Sequence, residues 1–146
     1  MKMGLLTKNR KVFIWCLFDW ANSPYPTVIL TFVFSAYFTK LVAEDEISGT
    51  FLWSQTIAFS GLFMAVIAPI LGAISDETGK KKIWILVFSI LAILATMNLW
   101  FVLPDKKSVP LALIAIAISL IAFEFCTIFY NATLIQVANS SSIGKV

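Results

Sequence analysis

The stretch GAISDETGKKK, residues 72–82, is a polar break in an otherwise apolar sequence, and it closes on Lys80-Lys81-Lys82. Apolar runs lie on both sides of it, at residues 51–74 and 83–103, and two more occupy 12–38 and 110–134. A helix needs ~20 residues to cross the hydrocarbon core of a bilayer, so each run is long enough. The 146-residue chain is 60% hydrophobic and 13% charged, with a mean hydropathy of +0.91. Soluble domains average ~45–50% apolar and ~25% charged residues. A soluble fold of this size has too little interior to hide that much apolar surface. The sequence therefore predicts an all-α integral membrane protein with four transmembrane helices, solvated by the lipid bilayer.

The lysine triplet also bears on orientation. Lys2, Lys8, Arg10 and Lys11 precede the first run, Lys80–Lys82 follow the second, and Lys145 follows the fourth. The alternate loops carry only Lys40, Lys106 and Lys107, so the bias is eight to three. Basic residues collect on the cytoplasmic side, which predicts a multi-pass protein of the cell membrane with both termini in the cytoplasm. The acidic Glu44, Asp45 and Glu46 count little in that rule. The net charge of +3 and pI near 9.0 arise from these short loop clusters, so nucleic acid is not an expected partner. The first run follows basic residues as a signal peptide would. Its apolar residues resume after Asp19 and continue to Phe38, which reads as a retained, interrupted helix.

Few chemistries remain. The chain has no histidine and only Cys16 and Cys126, both inside apolar runs and read as small buried residues. No metal site or cofactor is expected from such a set. No spaced nucleophile and base stand outside the membrane, so no enzyme activity is expected either. The sequons at Asn131 and Asn139 carry no meaning, one lying in the fourth run and the other on the expected cytoplasmic side.

The polar residues inside the runs are more informative. The first run contains LFDWANSPYP, residues 17–26, which places Asp19, Asn22 and Ser23 on one helical face and Pro24 and Pro26 directly after them. In the fourth run Glu124, Thr127 and Asn131 recur at i, i+3 and i+7. At ~100° per residue that face points away from a stripe of small residues, Ala112, Ala115, Ser119, Ala122 and Cys126. The second run has its own stripe, Ser54, Ala58, Gly61, Ala65, Ala68 and Gly72. Such stripes let helix backbones approach closely in lipid. An ionised carboxylate at mid-helix costs ~2.5–3.5 kcal/mol even on the milder insertion scale, so these residues face water, a partner or a solute. At 1.5 Å per residue, Asp19 sits roughly 10 Å inside the cytoplasmic boundary and Glu124 roughly 10–15 Å. Both then reach one cavity. Phe18-Asp19-Trp20 resembles Phe123-Glu124-Phe125, and three residues are too few to read as a repeat.

The loop between the second and third runs resembles the major facilitator motif G-x-x-x-D-x-x-G-[RK]-[RK]-[RK], with Gly72, Asp76, Gly79, Lys80, Lys81 and Lys82 at its fixed positions. It departs at Glu77, where the family usually has a basic residue. DWANSPYPTVILTFVFSAYF in the first run and YNATL at the end of the fourth are similar to the vacuole-effluxer branch of that superfamily. The resemblance implies helices 1–4 of a twelve-helix fold. It implies that Gly72 lies against helix 11 of the other half and that Asp76 joins a charge network at the cytoplasmic face. It further implies export or exchange of a small solute, with amino acids as the leading class. In transporters, interrupted helices with inward polar groups line a midplane cavity, which accounts for Asp19, Asn22 and Ser23 beside two prolines.

Residues 1–146 then read as an incomplete N-terminal half of such a transporter, truncated or encoded in a split frame, whose partners are the remaining helices. Two other readings stay open. One is a small four-helix proton-coupled exporter that dimerises around Asp19. The other is a membrane protein that transports nothing.

Overall fold

The computed structural model describes residues 13–133, which are helical throughout apart from short turns. Four helices are long and apolar enough to cross a membrane: α1 (Phe13–Val42), α2 (Glu46–Thr78), α3 (Lys81–Phe101) and α4 (Lys106–Ala132). The all-α, four-span architecture expected from hydropathy is therefore present. The basic residues at 2–11, Lys145, Asn139 and the outer ends of the first and fourth runs, Val12 and Leu134, lie outside the described residues.

Several helix ends run past the apolar runs. Helix α1 continues beyond 38 to Val42, and α2 begins at Glu46 and ends at Thr78, not at 51 and 74. Apolar content marks what lipid can solvate, whereas a helix stops where its end groups find partners. Asp45 supplies such partners at the start of α2. Its Oδ1 accepts from the Ile47 and Ser48 amides, both at 2.9 Å, and its Oδ2 accepts from the Ser48 hydroxyl at 2.8 Å. At the other end Gly79, with φ of 62°, takes the left-handed position and donates its N–H to the Ser75 carbonyl at 3.1 Å. Glycine adopts that conformation without steric cost.

The Asp45 cap is expected to make the stability of the fold depend on acid pH. The backbone N–H of Ser48, and then its hydroxyl, hold the Asp45 carboxyl below its ordinary value. A depressed carboxyl stabilises the fold above the unfolded-state pKa, and that stability is lost as pH falls through the folded-state value. We expect melting temperature to fall as pH drops below about 4, near the ordinary aspartate range. Asparagine caps nearly as well as aspartate. Asp45→Asn should therefore keep most of the neutral-pH stability and flatten this acid response, as read by melts across pH 3–7. An unchanged acid slope would show that other carboxyls control it.

Helix α1 is continuous but not uniform. It is π-helical over Tyr25–Phe32 and Phe38–Val42, with an α-helical stretch at Val33–Tyr37 between. The prolines account for the first change of winding. Pro24 has no N–H to offer the Trp20 carbonyl, which accepts from Ser23 N–H at 3.3 Å instead. Past Pro26 the helix widens, and the Thr31 hydroxyl donates to the Pro26 carbonyl five residues back at 2.9 Å. The expected interruption is thus a rewinding of the helix and not a break.

Helix α4 is the hub. Helices α2 and α3 pack chiefly on it rather than on each other. The small stripe expected on α4 is buried along its length, with Ala112, Ser119 and Ala122 at 0% exposure. Close approach follows: the Cys126 thiol meets the Ser89 hydroxyl of α3 at 3.1 Å and the Ile85 carbonyl at 3.7 Å. Aromatic rings of α3, Trp84 and Phe88, stack on Phe129 of α4 nearby. Cys16 departs from expectation. It is exposed on the outer surface of α1, because an apolar run in lipid has an outward face that needs no burial.

At the end carrying the 43–45 and 102–105 turns, Phe34, Phe38 and Val42 of α1 cluster with Trp53, Leu99 and Ile116. Tyr37 donates to the Val102 carbonyl at 2.9 Å, and Lys106 pairs with Glu44 at 2.7 Å across the two turns. Most other large apolar side chains point outward, Trp100 at 87% and Ile47 at 84% exposure among them. Surfaces this apolar are stable facing lipid or another helix.

Candidate functional site

Helix α1 meets α4 through aromatic side chains at two levels. At one level Tyr25 stacks on Phe123 at 4.6 Å between ring centres, and its hydroxyl is 2.7 Å from the Ser119 hydroxyl. At the other, Tyr130 stacks on Trp15 at 4.5 Å and lies against Phe18 at 4.8 Å. The Tyr130 hydroxyl also donates to the Trp15 carbonyl at 2.6 Å. Bulky rings at both contacts hold the backbones apart, and a space of about 220 Å³ opens beside them. Phe18, Asp19, Asn22, Ser23 and Pro26 form its α1 wall; Phe123, Glu124, Thr127 and Tyr130 form its α4 wall.

Five of the six polar residues expected to share a cavity therefore do so: Asp19, Asn22 and Ser23 from α1, Glu124 and Thr127 from α4. Asn131 is not among the lining residues and is exposed. It lies two turns beyond Glu124, past the Tyr130 contact that closes this end. Glu124 and Thr127 are half-buried, while Asp19 and Ser23 are exposed on the open side. A larger space of about 880 Å³ lies among α1, α3 and α4, walled largely by apolar groups such as Ile29, Ile93, Met97 and Trp100. Neither carboxylate lines it. The smaller cleft is the one with chemistry.

Comparison with known proteins identifies the lineage. Residues 46–143 match the family model described as vacuole effluxer Atg22 like. The chain belongs to the Atg22-like family. A relative in Bacillus subtilis (strain 168), named as the uncharacterized MFS-type transporter YxiO, is 36% identical to it over 135 residues. That alignment covers 90% of this chain and 31% of the relative, so the chain spans about a third of the relative's length. No solved structure matches it.

The major facilitator loop of this Atg22-like chain forms a compact turn. Asp76 pairs with Lys81 at 2.7 Å, while Glu77, Lys80 and Lys82 are exposed. Acidic groups at the end of α2 and lysines at the start of α3 both oppose the helix dipoles, at roughly 0.3–1 kcal/mol each. Helix stability is therefore not the reason for their positions. Gly72 is half-buried, and a Cβ placed on it would meet nothing within 4 Å. Gly61, on the same α2 stripe, is equally open. Within the described chain that stripe packs against no backbone at either glycine.

Sequence reasoning missed the aromatic half of the site, Phe18, Phe123 and Tyr130. A signal for the first two was present. Phe18-Asp19 and Phe123-Glu124, set aside as a chance likeness, supply the same phenyl-carboxylate pair to each wall of one cleft. Tyr130 had no such mark, because its role depends on the neighbour it stacks against.

Proposed function

We propose that this Atg22-like chain supplies the first four helices of a major facilitator transporter that exports or exchanges a small amino-acid-like solute. The cleft between α1 and α4, with a carboxylate on each wall, carries this reading and stands for part of the solute pathway. Charge in a membrane interior is costly and is usually kept for function. The relative's name as an MFS-type transporter supports the same reading. So does the match over about a third of the relative's length, since further helices would then complete the transporter. The location is the cell membrane with both termini cytoplasmic, supported by the eight-to-three distribution of basic residues.

Single cysteines at Lys8, Ser48, Ser108 and Ser142 test the orientation by labelling with an impermeant reagent in intact cells. Ser48 and Ser108 should label, and external labelling at Lys8 or Ser142 would rule the orientation out.

Assembly is tested by co-expression with the remaining helices of a relative. We expect little flux from the 146-residue chain alone and measurable flux with its complement. Gly72→Leu should block the rescue by holding the helices apart. It should not lower the melting temperature of the chain by itself, because the space around Gly72 is open. Full flux from the chain alone would refute assembly and favour a small dimeric exporter.

A further inference from the structure

The 220 Å³ cleft is one-sided in its hydrogen bonding. Ser23 donates its hydroxyl proton to the Asp19 carbonyl at 3.1 Å, and Thr127 donates to the Phe123 carbonyl at 3.0 Å. Tyr130 gives its proton to the Trp15 carbonyl. A hydroxyl has one proton to give, so each oxygen has only lone pairs left for a guest. Asn22 spends one of its two amide hydrogens on the Phe18 carbonyl at 2.8 Å. A carboxylate in its ionised form, as Asp19 and Glu124 can each supply, accepts only. Among the described residues no lysine or arginine lines the cleft. What remains is a surface of acceptors with one spare N–H, flanked by the phenyl rings of Phe18 and Phe123.

Such a surface repels anions and leaves a neutral acceptor unbonded. It suits a cation that brings its own donors. An ammonium group has three N–H donors and is attracted to aromatic faces as well as to carboxylates. A bare alkali ion brings no donors and does not fill a space several times a water's ~30 Å³ share of liquid volume.

Resting on the transporter reading above, we infer that this cleft seats the ammonium group of a small organic amine. A carboxylate on the same solute is then held by residues outside these four helices. The four helices grip one end of the solute only. An amine without a carboxylate should therefore bind, and the matching acid should not.

The test uses the full 146-residue chain in lipid nanodiscs at constant ionic strength. It is titrated with 3-methylbutylammonium, 3-methylbutanoate and sodium ion, following tryptophan emission, to which Trp15 on Tyr130 contributes. We expect a saturable response to the ammonium and none to the carboxylate. Affinity should fall at least tenfold in Asp19→Asn/Glu124→Gln. Should the double variant fail to fold, Asp19→Asn alone decides the point, since Asp19 is exposed, and a loss of at least threefold is expected. Unchanged affinity, equal binding of the carboxylate, no response to the ammonium, or sodium saturating the site and excluding the ammonium would each overturn the proposal. Flux in the co-expressed transporter separates the two readings. Flux without amine binding defeats the ammonium site alone, and amine binding without flux defeats the transport reading alone.

Discussion

Gly49→Leu is expected to abolish the folded chain. Gly49 lies in the first turn of α2, packed into the last turns of α1. A Cβ there would stand 2.7 Å from the Ala43 Cβ, 3.0 Å from the Thr39 Cα and 3.2 Å from the Thr39 carbonyl oxygen. Two of those atoms are backbone, so the clash is relieved only by moving helix ends. Overpacking a tight site costs roughly 1–3 kcal/mol and sometimes more, against a total stability of ~5–15 kcal/mol for a typical domain. Gly49→Ala should fall within that range, and Gly49→Leu should exceed it. The elbow it wedges open also holds Phe38 and Val42, both fully buried. Folded yield and melting temperature in mild detergent are the measurements. Ala43→Gly should partly rescue Gly49→Ala by removing the nearest contact, though the Thr39 backbone stays in place. Gly61→Ala is the opposite control. Space there is open, and alanine is better than glycine inside a helix by ~0.8–1.0 kcal/mol. A Gly49→Leu chain as stable as the parent would disprove the close elbow.

On the proposed transporter reading, Asp19→Asn combined with Glu124→Gln is expected to remove most transport from the assembled protein. Both substitutions keep side-chain size, remove the charge and replace one acceptor oxygen by an NH2 donor. Among the described residues neither carboxylate forms an ion pair, since the described pairs are Asp76–Lys81 and Glu44–Lys106. Their loss therefore leaves no lysine or arginine stranded, and expression should stay within about twofold of the parent. We expect flux to fall at least tenfold for the pair, and severalfold for each alone. Ser23→Ala should do less, because its proton is already held by the Asp19 carbonyl. Unchanged flux in the double variant would mean that the cleft lies off the solute pathway.

The hydropathy of the chain alone determined its four membrane-crossing helices. The requirement that lipid places on a span is local: enough consecutive apolar residues, with every backbone group bonded inside the segment. The α4 stripe was legible for a related reason. Small residues on one face of a regular helix stay on that face, and only a close neighbour gives them value. The start of α2 was legible in principle, since Asp45 precedes the helix by one position, but apolarity located the lipid boundary and not the cap.

Other features belong to the tertiary structure. The π-helical turns after Pro24 change the residues per turn, so the ~100° rule no longer carries a face through α1. The six polar candidates illustrate the limit. Helical spacing grouped Asn131 with Glu124 and Thr127, yet the Tyr130–Trp15 contact closes the cleft before Asn131 can line it. Cys16 and Cys126 both sit in apolar runs, and one faces outward while the other is buried against α3. Phe18 and Phe123 face one cleft from opposite walls because α1 and α4 are neighbours. Spacing along a sequence fixes which side chains share a helix face. Only the packing of one helix on another decides what that face meets, because contact is a relation between surfaces that no single segment contains.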